Sequence, residues 1–307
     1  MRDGRRPERR PSLRHRLEYL GLKLGLLLID RLPPAATVWL ARAVADLWYA
    51  VDARRRQIAC ENILRSGVAA SPRAAARIAR ASFRHLPLVV LESLRSERLF
   101  ARGNWRERVV FEAPAETMAL LAAPGQGLIL VSGHLGNWEI AAQLLSKTKP
   151  VTGITRGMNN PLAHALMLRR KPRARFTLMP MHDANPARFF AVLRRGDVLA
   201  LLMDQHARRR GMMVPFFGTP ASTHTSPALL HLVTGAPLCF GYCVRTGPGA
   251  FRLVAGPPLS HPPTGRREED IRTILEALNR QLEDAIRRYP EQYLWVHRRW
   301  RERPAAG

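Results

Sequence analysis

The sequence predicts an α/β fold in which a mostly parallel central sheet is flanked by helices and preceded by apolar, membrane-associating helices. Short apolar runs alternate with helical segments after Gly125, a rhythm typical of βαβ units. Two longer apolar segments precede them, and 46% of the 307 residues are hydrophobic, which is sufficient for a large core. We therefore expect residues 1–65 to form a basic arm and the apolar helices, and residues 66–307 to form the α/β domain.

The N-terminal part contains two apolar segments beside an arginine-rich arm. The first, "LEYLGLKLGLLLID" (17–30), is shorter than the roughly 20 residues of a membrane span and contains Lys23. The second, "ATVWLARAVADLWYAV" (36–51), contains Arg42 and Asp46. Helices that are apolar nearly all round are either buried or lie on a bilayer, and the flanking arginines favour the bilayer surface. No small-residue cleavage site follows the first segment, so we expect no removed signal peptide.

A capped helix and then the alternating elements follow. Ser71 as the cap and Pro72 in the first turn begin an amphipathic helix that continues to Arg95. "RTGPGAF" has the composition of a hairpin turn, so the last two strands are expected to be antiparallel. The predicted strands are 128–132, 150–155, 176–179, 197–203, 237–244 and 251–256. The predicted helices that accompany them are 137–147, 159–170, 185–195, 226–234 and 266–289.

The chain carries a formal charge of +25, and only four of its 49 basic residues are lysine. A field of this size attracts polyanions, which include nucleic acid, anionic lipid headgroups and acidic proteins, and composition does not choose among them. The arginines form separate clusters without a nucleic-acid-binding motif, so nucleic-acid binding is only the remote alternative. Cys60, Cys239 and Cys243 form no CxxC pair and no spaced His/Cys cluster occurs, so we expect neither a disulfide framework nor a metal site.

A histidine and a carboxylate flank the turn after the first predicted strand of the alternating region. In open α/β sheets ligands bind at the carboxyl ends of the strands, where His134 lies. Asn137 is a suitable helix N-cap, which places Glu139 in the first helical turn. From there Glu139 can turn back to accept the imidazole N–H, while the other ring nitrogen of His134 acts as a base.

The chain contains no G-x-S-x-G nucleophile motif. The pattern therefore favours direct acyl transfer, in which His134 takes a proton from a hydroxyl group that attacks an activated acyl carbonyl. Water in place of the hydroxyl would make the same site a thioesterase, and this alternative stays open.

The sequence "HLGNWE" matches an H-x4-(D/E) motif, and further blocks follow it in order. These blocks are "GITRGMNNPLAHALMLRR", "LRRGDVLALLMDQHARRRGMMVPFFGTPAST", "ALLHLVTGAPLCFGY" and "YPEQYLWVHRRWRERP". Together with "LEYLGLKL" and "RRRQIACENI" near the N-terminus, they extend over nearly the whole chain. On these motifs the chain resembles the late acyltransferases of bacterial lipid A biosynthesis, the lauroyl and myristoyl transferases, and their phosphatidylinositol mannoside acyltransferase relatives.

This resemblance implies a glycerolipid acyltransferase-like fold and a role for each matching residue. His134 is expected to be the general base, Glu139 its orienting partner, and Asp204 a second carboxylate nearby. Arg156 is expected to steady a phosphate or the developing oxyanion. His206 and His224 depart from the expected pattern, which bears on the acceptor more than on the chemistry. The expected substrate-binding residues are Asn137, Gln205, Arg208, Arg209, Arg210, Phe216 and Phe217, with the two phenylalanines lining the acyl groove.

The resemblance also implies the substrates and the location. The donor is expected to be an acyl thioester of acyl carrier protein or coenzyme A, with no other cofactor. The acceptor is expected to be a glycolipid, foremost a lipid A precursor, with a phosphatidylinositol mannoside or a lysophospholipid as the alternative. The enzyme is expected to work at the cytoplasmic face of the inner membrane.

Overall fold

A computed structural model describes residues 12–100, 105–169, 175–207 and 211–301. The N-terminal end of the predicted basic arm and the predicted substrate-binding residues Arg208, Arg209 and Arg210 lie outside the described residues.

Seven strands form one sheet and two others form a separate hairpin. The strands are β1 (Val109–Glu112), β2 (Leu128–Ser132), β3 (Val151–Thr155), β4 (Phe176–Pro180), β5 (Val198–Leu202), β6 (Gly211–Phe216), β7 (Thr219–His224), β8 (Leu238–Gly247) and β9 (Ala250–Pro258). The order in the sheet is β1-β9-β8-β2-β5-β3-β4. Strands β2, β3, β4, β5 and β8 are parallel, whereas β9 is antiparallel to β8 and β1 pairs in parallel with β9. The predicted mostly parallel sheet and the antiparallel last pair are therefore confirmed.

The helices cover the two faces of the sheet and form the N-terminal part. Ser71 caps α4 as predicted, because its hydroxyl accepts a hydrogen bond from the backbone N–H of Ala74. The helices are α1 (Leu13–Arg31), α2 (Pro34–Val51), α3 (Ala53–Arg65), α4 (Pro72–Phe100), α5 (Ala115–Ala122), α6 (Trp138–Leu145), α7 (Pro161–Arg169), α8 (Pro186–Arg194), α9 (Ser226–Thr234) and α10 (Arg267–Arg288).

The β6–β7 hairpin and β1 are absent from the predicted strands. The hairpin turns through Phe217 and Gly218, which both have positive φ, 50° and 72°, as a two-residue type I′ turn requires. No Asn-Gly or Asp-Gly signal marks this turn, and β7, "TPASTH", does not alternate apolar and polar residues. The hairpin is held instead by long-range contacts, such as the hydrogen bond from the Asn279 side chain of α10 to the Pro215 carbonyl.

The core lies on both faces of the sheet, because side chains of successive strand residues point to opposite faces. In β2, Ile129 and Val131 belong to a cluster that includes the apolar stripe of α10 and Trp295. Leu128 and Leu130 belong to a second cluster, which includes the apolar side of α6. Strand β2 is therefore buried on both sides, and its carboxyl end is a rigid base for the residues that follow it.

The N-terminal helices pack on the α/β part and also expose apolar side chains. Arg95 of α4 donates hydrogen bonds to the carbonyls of Ile29 and Leu32, so contacts cross the predicted boundary at residue 65. Among the described residues, no helix has the length and apolar content that crossing a bilayer requires. The helices themselves are confirmed, and their membrane association remains a prediction. The large exposed apolar side chains are Leu13, Leu17, Leu20, Leu24, Leu27 and Leu28 of α1 and Trp39, Val44, Leu47 and Val51 of α2.

Candidate active site

The loop between β2 and α6 carries His134 and is fixed by backbone contacts. Gly136 has φ of 62°, and a Cβ at this position would lie 2.0 Å from the carbonyl oxygen of Cys243. The backbone N–H of Asn137 donates to that carbonyl, and the His134 carbonyl accepts from the backbone N–H of Leu294. Only glycine fits at position 136, and the close approach holds the loop against β8.

Asn137 caps α6 as predicted, but the structure differs from the prediction that it contacts substrate. Its side-chain Oδ1 accepts from the backbone N–H of Ile140 at 3.1 Å, and its amide nitrogen donates to Glu92 and to the Val89 carbonyl. The residue is 0% exposed. Because every polar atom of the side chain is engaged within the protein, Asn137 positions the loop and does not reach a substrate.

Asp204, which follows β5, holds the imidazole of His134. Its Oδ1 lies 2.8 Å from Nδ1 of His134, and its Oδ2 accepts the backbone N–H of the same residue at 2.9 Å. Parallel pairing of β2 with β5 brings the two strand ends together. The ring N–H was predicted to be donated to Glu139; the structure differs, because Asp204 is the acceptor at Nδ1. With that proton held, Nε2 is the nitrogen that can accept a proton.

Two buried residues of the C-terminal segment surround the Asp204 carboxylate. Burial by itself would raise the pKa of Asp204, but the charge and hydrogen bonds of His134 and the positive charge of Arg299 outweigh it and lower the pKa to about 2. Burial and the nearby charge of Asp204 raise the pKa of Tyr293 well above its usual value. Asp204 is thus an anion throughout the physiological range, as the partner of a general base must be.

The Nε2 side of the imidazole faces a polar group and an aromatic ring. The amide nitrogen of Gln205 lies 3.4 Å from Nε2, which is a long contact that an incoming hydroxyl group can replace. The ring of Trp138 meets the imidazole edge to face, with 4.8 Å between the centroids. Gln205 therefore lies where the sequence predicted a substrate contact, and Trp138 limits the orientation of the imidazole.

A cavity of about 250 Å³ opens beside His134, between α6 and the sheet. Glu139 and the exposed Arg156 line it together with His134, so three of the four predicted catalytic residues share one opening. Most of the remaining wall is apolar and includes the buried side chains of Leu130, Leu145, Phe176 and Leu253. The cavity thus joins a basic imidazole to a space suited to a hydrocarbon chain.

The structure places the two predicted groove phenylalanines elsewhere. Phe216 is 0% exposed and packs on Phe217 and Trp300, with the Arg299 guanidinium 5.1 Å from its ring centroid. Phe217 lies in the hairpin turn, and its backbone N–H donates to Glu283. Because the β6–β7 hairpin packs on α10, both rings belong to the core of that hairpin, and the cavity beside His134 is formed by other residues.

Trp138, Tyr293 and Arg299 belong to the site but were not predicted from the sequence. Trp138 lies inside the H-x4-E motif, which was the available signal for it. Tyr293 and Arg299 belong to the C-terminal block "YPEQYLWVHRRWRERP", which contributed to the family resemblance without a role for either residue. Nothing in their spacing indicates that this block returns to Asp204.

Acidification is expected to destabilise the fold through His85, which lies behind the loop that carries His134. His85 lies 3.0 Å from the Gly136 carbonyl and 3.0 Å from Arg245, and burial together with the Arg245 charge lowers its pKa from 6.5 to about 3. The unfolded chain binds this proton below pH 6.5, whereas the folded chain does not. Stability is therefore complete above pH 6.5 and falls on acidification, by about 2 kcal/mol at pH 5 from this group.

Urea unfolding at pH 7 and pH 5 measures this loss. His85→Gln retains a donor and an acceptor and is expected to lose less stability than the wild type between the two pH values. His182→Gln, at an exposed position, is the control. Equal losses in the wild type and His85→Gln would contradict the prediction.

The sequence matches a known protein family and several known proteins. Residues 6–302 match the family described as bacterial lipid A biosynthesis acyltransferase. The chain is 27% identical over 206 residues to a lipid A biosynthesis lauroyltransferase of Escherichia coli (strain K12), and the match covers 66% of this chain and 64% of that protein. It is 26% identical over 182 residues to a lipid A biosynthesis palmitoleoyltransferase of the same strain, and this match covers 58% of this chain and 57% of that protein. A phosphatidylinositol mannoside acyltransferase of Mycobacterium tuberculosis (strain ATCC 25618 / H37Rv) is 25% identical over 187 residues, with 59% and 57% covered. The matches thus span less than two thirds of these relatives.

Proposed function

The chain belongs to the bacterial lipid A biosynthesis acyltransferase family, and from this membership we propose that it is a membrane-associated O-acyltransferase that moves a fatty acyl group from a thioester to a hydroxyl group of a glycolipid. The observation that carries the proposal is the His134–Asp204 pair at the opening of an apolar cavity. The acceptor we propose first is a lipid A precursor, since two of the relatives above are named for lipid A biosynthesis.

In the proposed reaction His134 is the general base. Its Nε2 takes the proton of the acceptor hydroxyl as the oxygen attacks the thioester carbonyl, and Asp204 stabilises the imidazolium that forms. The tetrahedral intermediate then loses its carbon–sulfur bond, and the proton on Nε2 passes to the leaving thiolate. The products are the ester and the free thiol, so no acyl-enzyme is needed.

The other cavity residues have proposed roles in this reaction. Arg156 at the end of β3 presents a positive charge to the oxyanion of the intermediate or to a substrate phosphate. Glu139 lines the same opening and contributes a negative charge near the imidazole. The apolar wall holds the acyl chain, whose burial is favourable by about 0.8 kcal/mol for each methylene group.

The surface of the protein supports work at a membrane. Exposed leucines follow one another at helical spacing on α1, and α2 also exposes apolar side chains. The charge of +25 attracts anionic lipid and an acidic acyl carrier protein. We therefore propose the cytoplasmic face of the inner membrane as the location and acyl carrier protein or coenzyme A as the thiol of the donor.

Mass spectrometry of total membrane lipids from cells with and without the gene tests the proposed function. A lipid species that lacks one acyl chain is expected when the gene is removed. In a second arm, purified protein receives a labelled acyl thioester and the extracted lipid, and the label is expected in the lipid. Release of the label only as free fatty acid would show a thioesterase instead.

A cavity variant makes the same assay specific for the proposed acyl site. Gly153 lines the cavity, and a Cβ there would lie 3.6 Å from Leu178 and Phe176, which is an ordinary contact. Gly153→Ala is therefore expected to fold and to shift the preference towards shorter acyl chains. An unchanged preference would contradict the assignment of this cavity to the acyl chain.

A further inference from the structure

A second, larger cleft lies between α2, α4 and the β8–β9 turn. It is behind the loop between β2 and α6 that carries His134, called the catalytic loop below. Its volume is about 1630 Å³, and it shares no lining residue with the cavity beside His134. Among the described residues, seven arginines line it, together with the two carboxylates of Glu92 and Glu291. The arginines of the cleft are Arg42, Arg77, Arg80, Arg84, Arg95, Arg108 and Arg245.

The charges of this arginine cleft are only partly neutralised. Arg80 and Arg84 share the carboxylate of Asp46, at 2.9 and 2.6 Å. Arg245 is paired with Glu92 at the base of the cleft. Within the described ranges, Arg42, Arg77 and Arg108 form no ion pair with a carboxylate. These three arginines are exposed, and their guanidinium groups are able to bind a phosphate in a bidentate manner.

One wall of the arginine cleft is also apolar and exposed. Trp39 of α2 lines the cleft beside Val38 and is 70% exposed, whereas Leu47 and Val51 of the same helix, 64% and 70% exposed, lie outside the cleft. Tryptophan and arginine side by side are typical of the boundary between lipid headgroups and acyl chains. An acidic protein would use the arginines alone, whereas a lipid with a phosphate headgroup uses both the arginines and the apolar side chains.

We propose that the arginine cleft binds the phosphate headgroup of an anionic membrane lipid, with the lipid chains against the exposed apolar side of α2. This inference rests on the proposed work at a membrane surface, and it adds a lipid site separate from the acyl cavity. The base of the cleft reaches the catalytic loop from behind, because His85 contacts the Gly136 carbonyl and Glu92 accepts from Asn137. The bound lipid therefore lies on the opposite side of the loop from the acyl cavity.

Co-sedimentation of the full chain with vesicles tests the proposal. The vesicles contain phosphatidylcholine alone or an equimolar mixture with phosphatidylglycerol, and the wild type is expected to prefer the mixture. Arg42→Ala/Arg77→Ala is expected to weaken binding to the mixture by about 30-fold, since each basic residue near an anionic surface contributes roughly 5-fold. Trp39→Gln is expected to weaken binding to both kinds of vesicle. Because all three side chains are exposed, the variants are expected to keep the wild-type melting temperature.

A charge-matched variant separates the cleft from the net charge of the protein. Arg194→Ala/Arg267→Ala removes two exposed arginines at the ends of α8 and α10 and is expected to bind the mixture as the wild type does. Equal weakening by the two double variants would overturn the proposal, since it would show a diffuse charge effect.

Two further arms distinguish other occupants of the cleft. Glycerol phosphate alone is expected not to compete with the vesicles at millimolar concentration, and effective competition would show a site for small phosphate compounds instead. An acidic carrier protein is expected to bind the wild type and Arg42→Ala/Arg77→Ala equally. If the double variant loses binding to the carrier protein but still binds the vesicles as the wild type does, the proposal is overturned. These readouts need no acyl transfer, so failure of the proposed enzyme activity is separately visible.

Discussion

Replacing Asp204 by asparagine is expected to lower kcat for acyl transfer by about 10²- to 10⁴-fold while the fold is retained. The carboxylate accepts both the Nδ1 proton of His134 and its backbone N–H. An amide at the same place offers only one acceptor oxygen. If that oxygen continues to accept the backbone N–H, the amide N–H group of asparagine faces Nδ1 and the imidazole proton moves to Nε2. A protonated Nε2 cannot accept the proton of the acceptor hydroxyl.

A steady-state assay of Asp204→Asn beside Glu139→Gln tests this assignment. Glu139→Gln leaves the contact between Asp204 and Nδ1 in place and is expected to lose much less activity. Thermal unfolding of each variant is the control, because a buried position such as 204 also affects stability. A larger loss in Glu139→Gln than in Asp204→Asn would show that Glu139, as the sequence first suggested, orients the base.

Replacing His134 by alanine is expected to lower kcat by about 10³- to 10⁴-fold, since no other group takes the proton of the acceptor hydroxyl. The effect on KM is expected to be small, because the apolar wall that holds the acyl chain is unchanged. Steady-state assays with a labelled thioester measure both quantities.

Chemical rescue separates loss of the base from loss of structure. Imidazole added to His134→Ala is expected to restore part of the activity, because the removed ring leaves a space beside Trp138 and Asp204. His164→Ala, which removes a histidine near Gly157 away from the acyl cavity, is the matched control and is expected to keep its activity. Loss of a general base is expected to cost far more than a factor of ten in rate. If His134→Ala keeps more than about a tenth of the wild-type rate, the proposed chemistry is contradicted.

The local pattern of the sequence was sufficient for most of the elements. Every predicted strand is present, because runs such as "LILVS" are apolar on both faces, as strands buried in a parallel sheet must be. The helices predicted at 226–234 and 266–289 are present as α9 and α10. The β6–β7 hairpin was not, since its turn and pairing depend on α10 and the C-terminal segment more than on its own residues.

The site was predictable where its residues are close in the chain. His134 follows a strand and precedes a capped turn, and both features are visible in "LVSGHLGNWE". Which carboxylate meets its ring was not visible: Glu139 is five residues away and Asp204 is 70 residues away, yet Asp204 makes the contact. The pairing of β2 with β5 decides this, because it fixes the two strand ends side by side.

The sequence by itself determined the α/β class, the histidine at a strand end, the strongly basic composition and the resemblance to a family, since composition, periodicity and short motifs are local properties. Only the tertiary structure decided which carboxylate contacts the ring of His134, where an apolar cavity opens beside it, and that Tyr293 and Arg299 return to Asp204. The physical reason is that strand order and helix packing bring together residues far apart in the chain, and their burial then fixes charge and hydrogen bonding at the site.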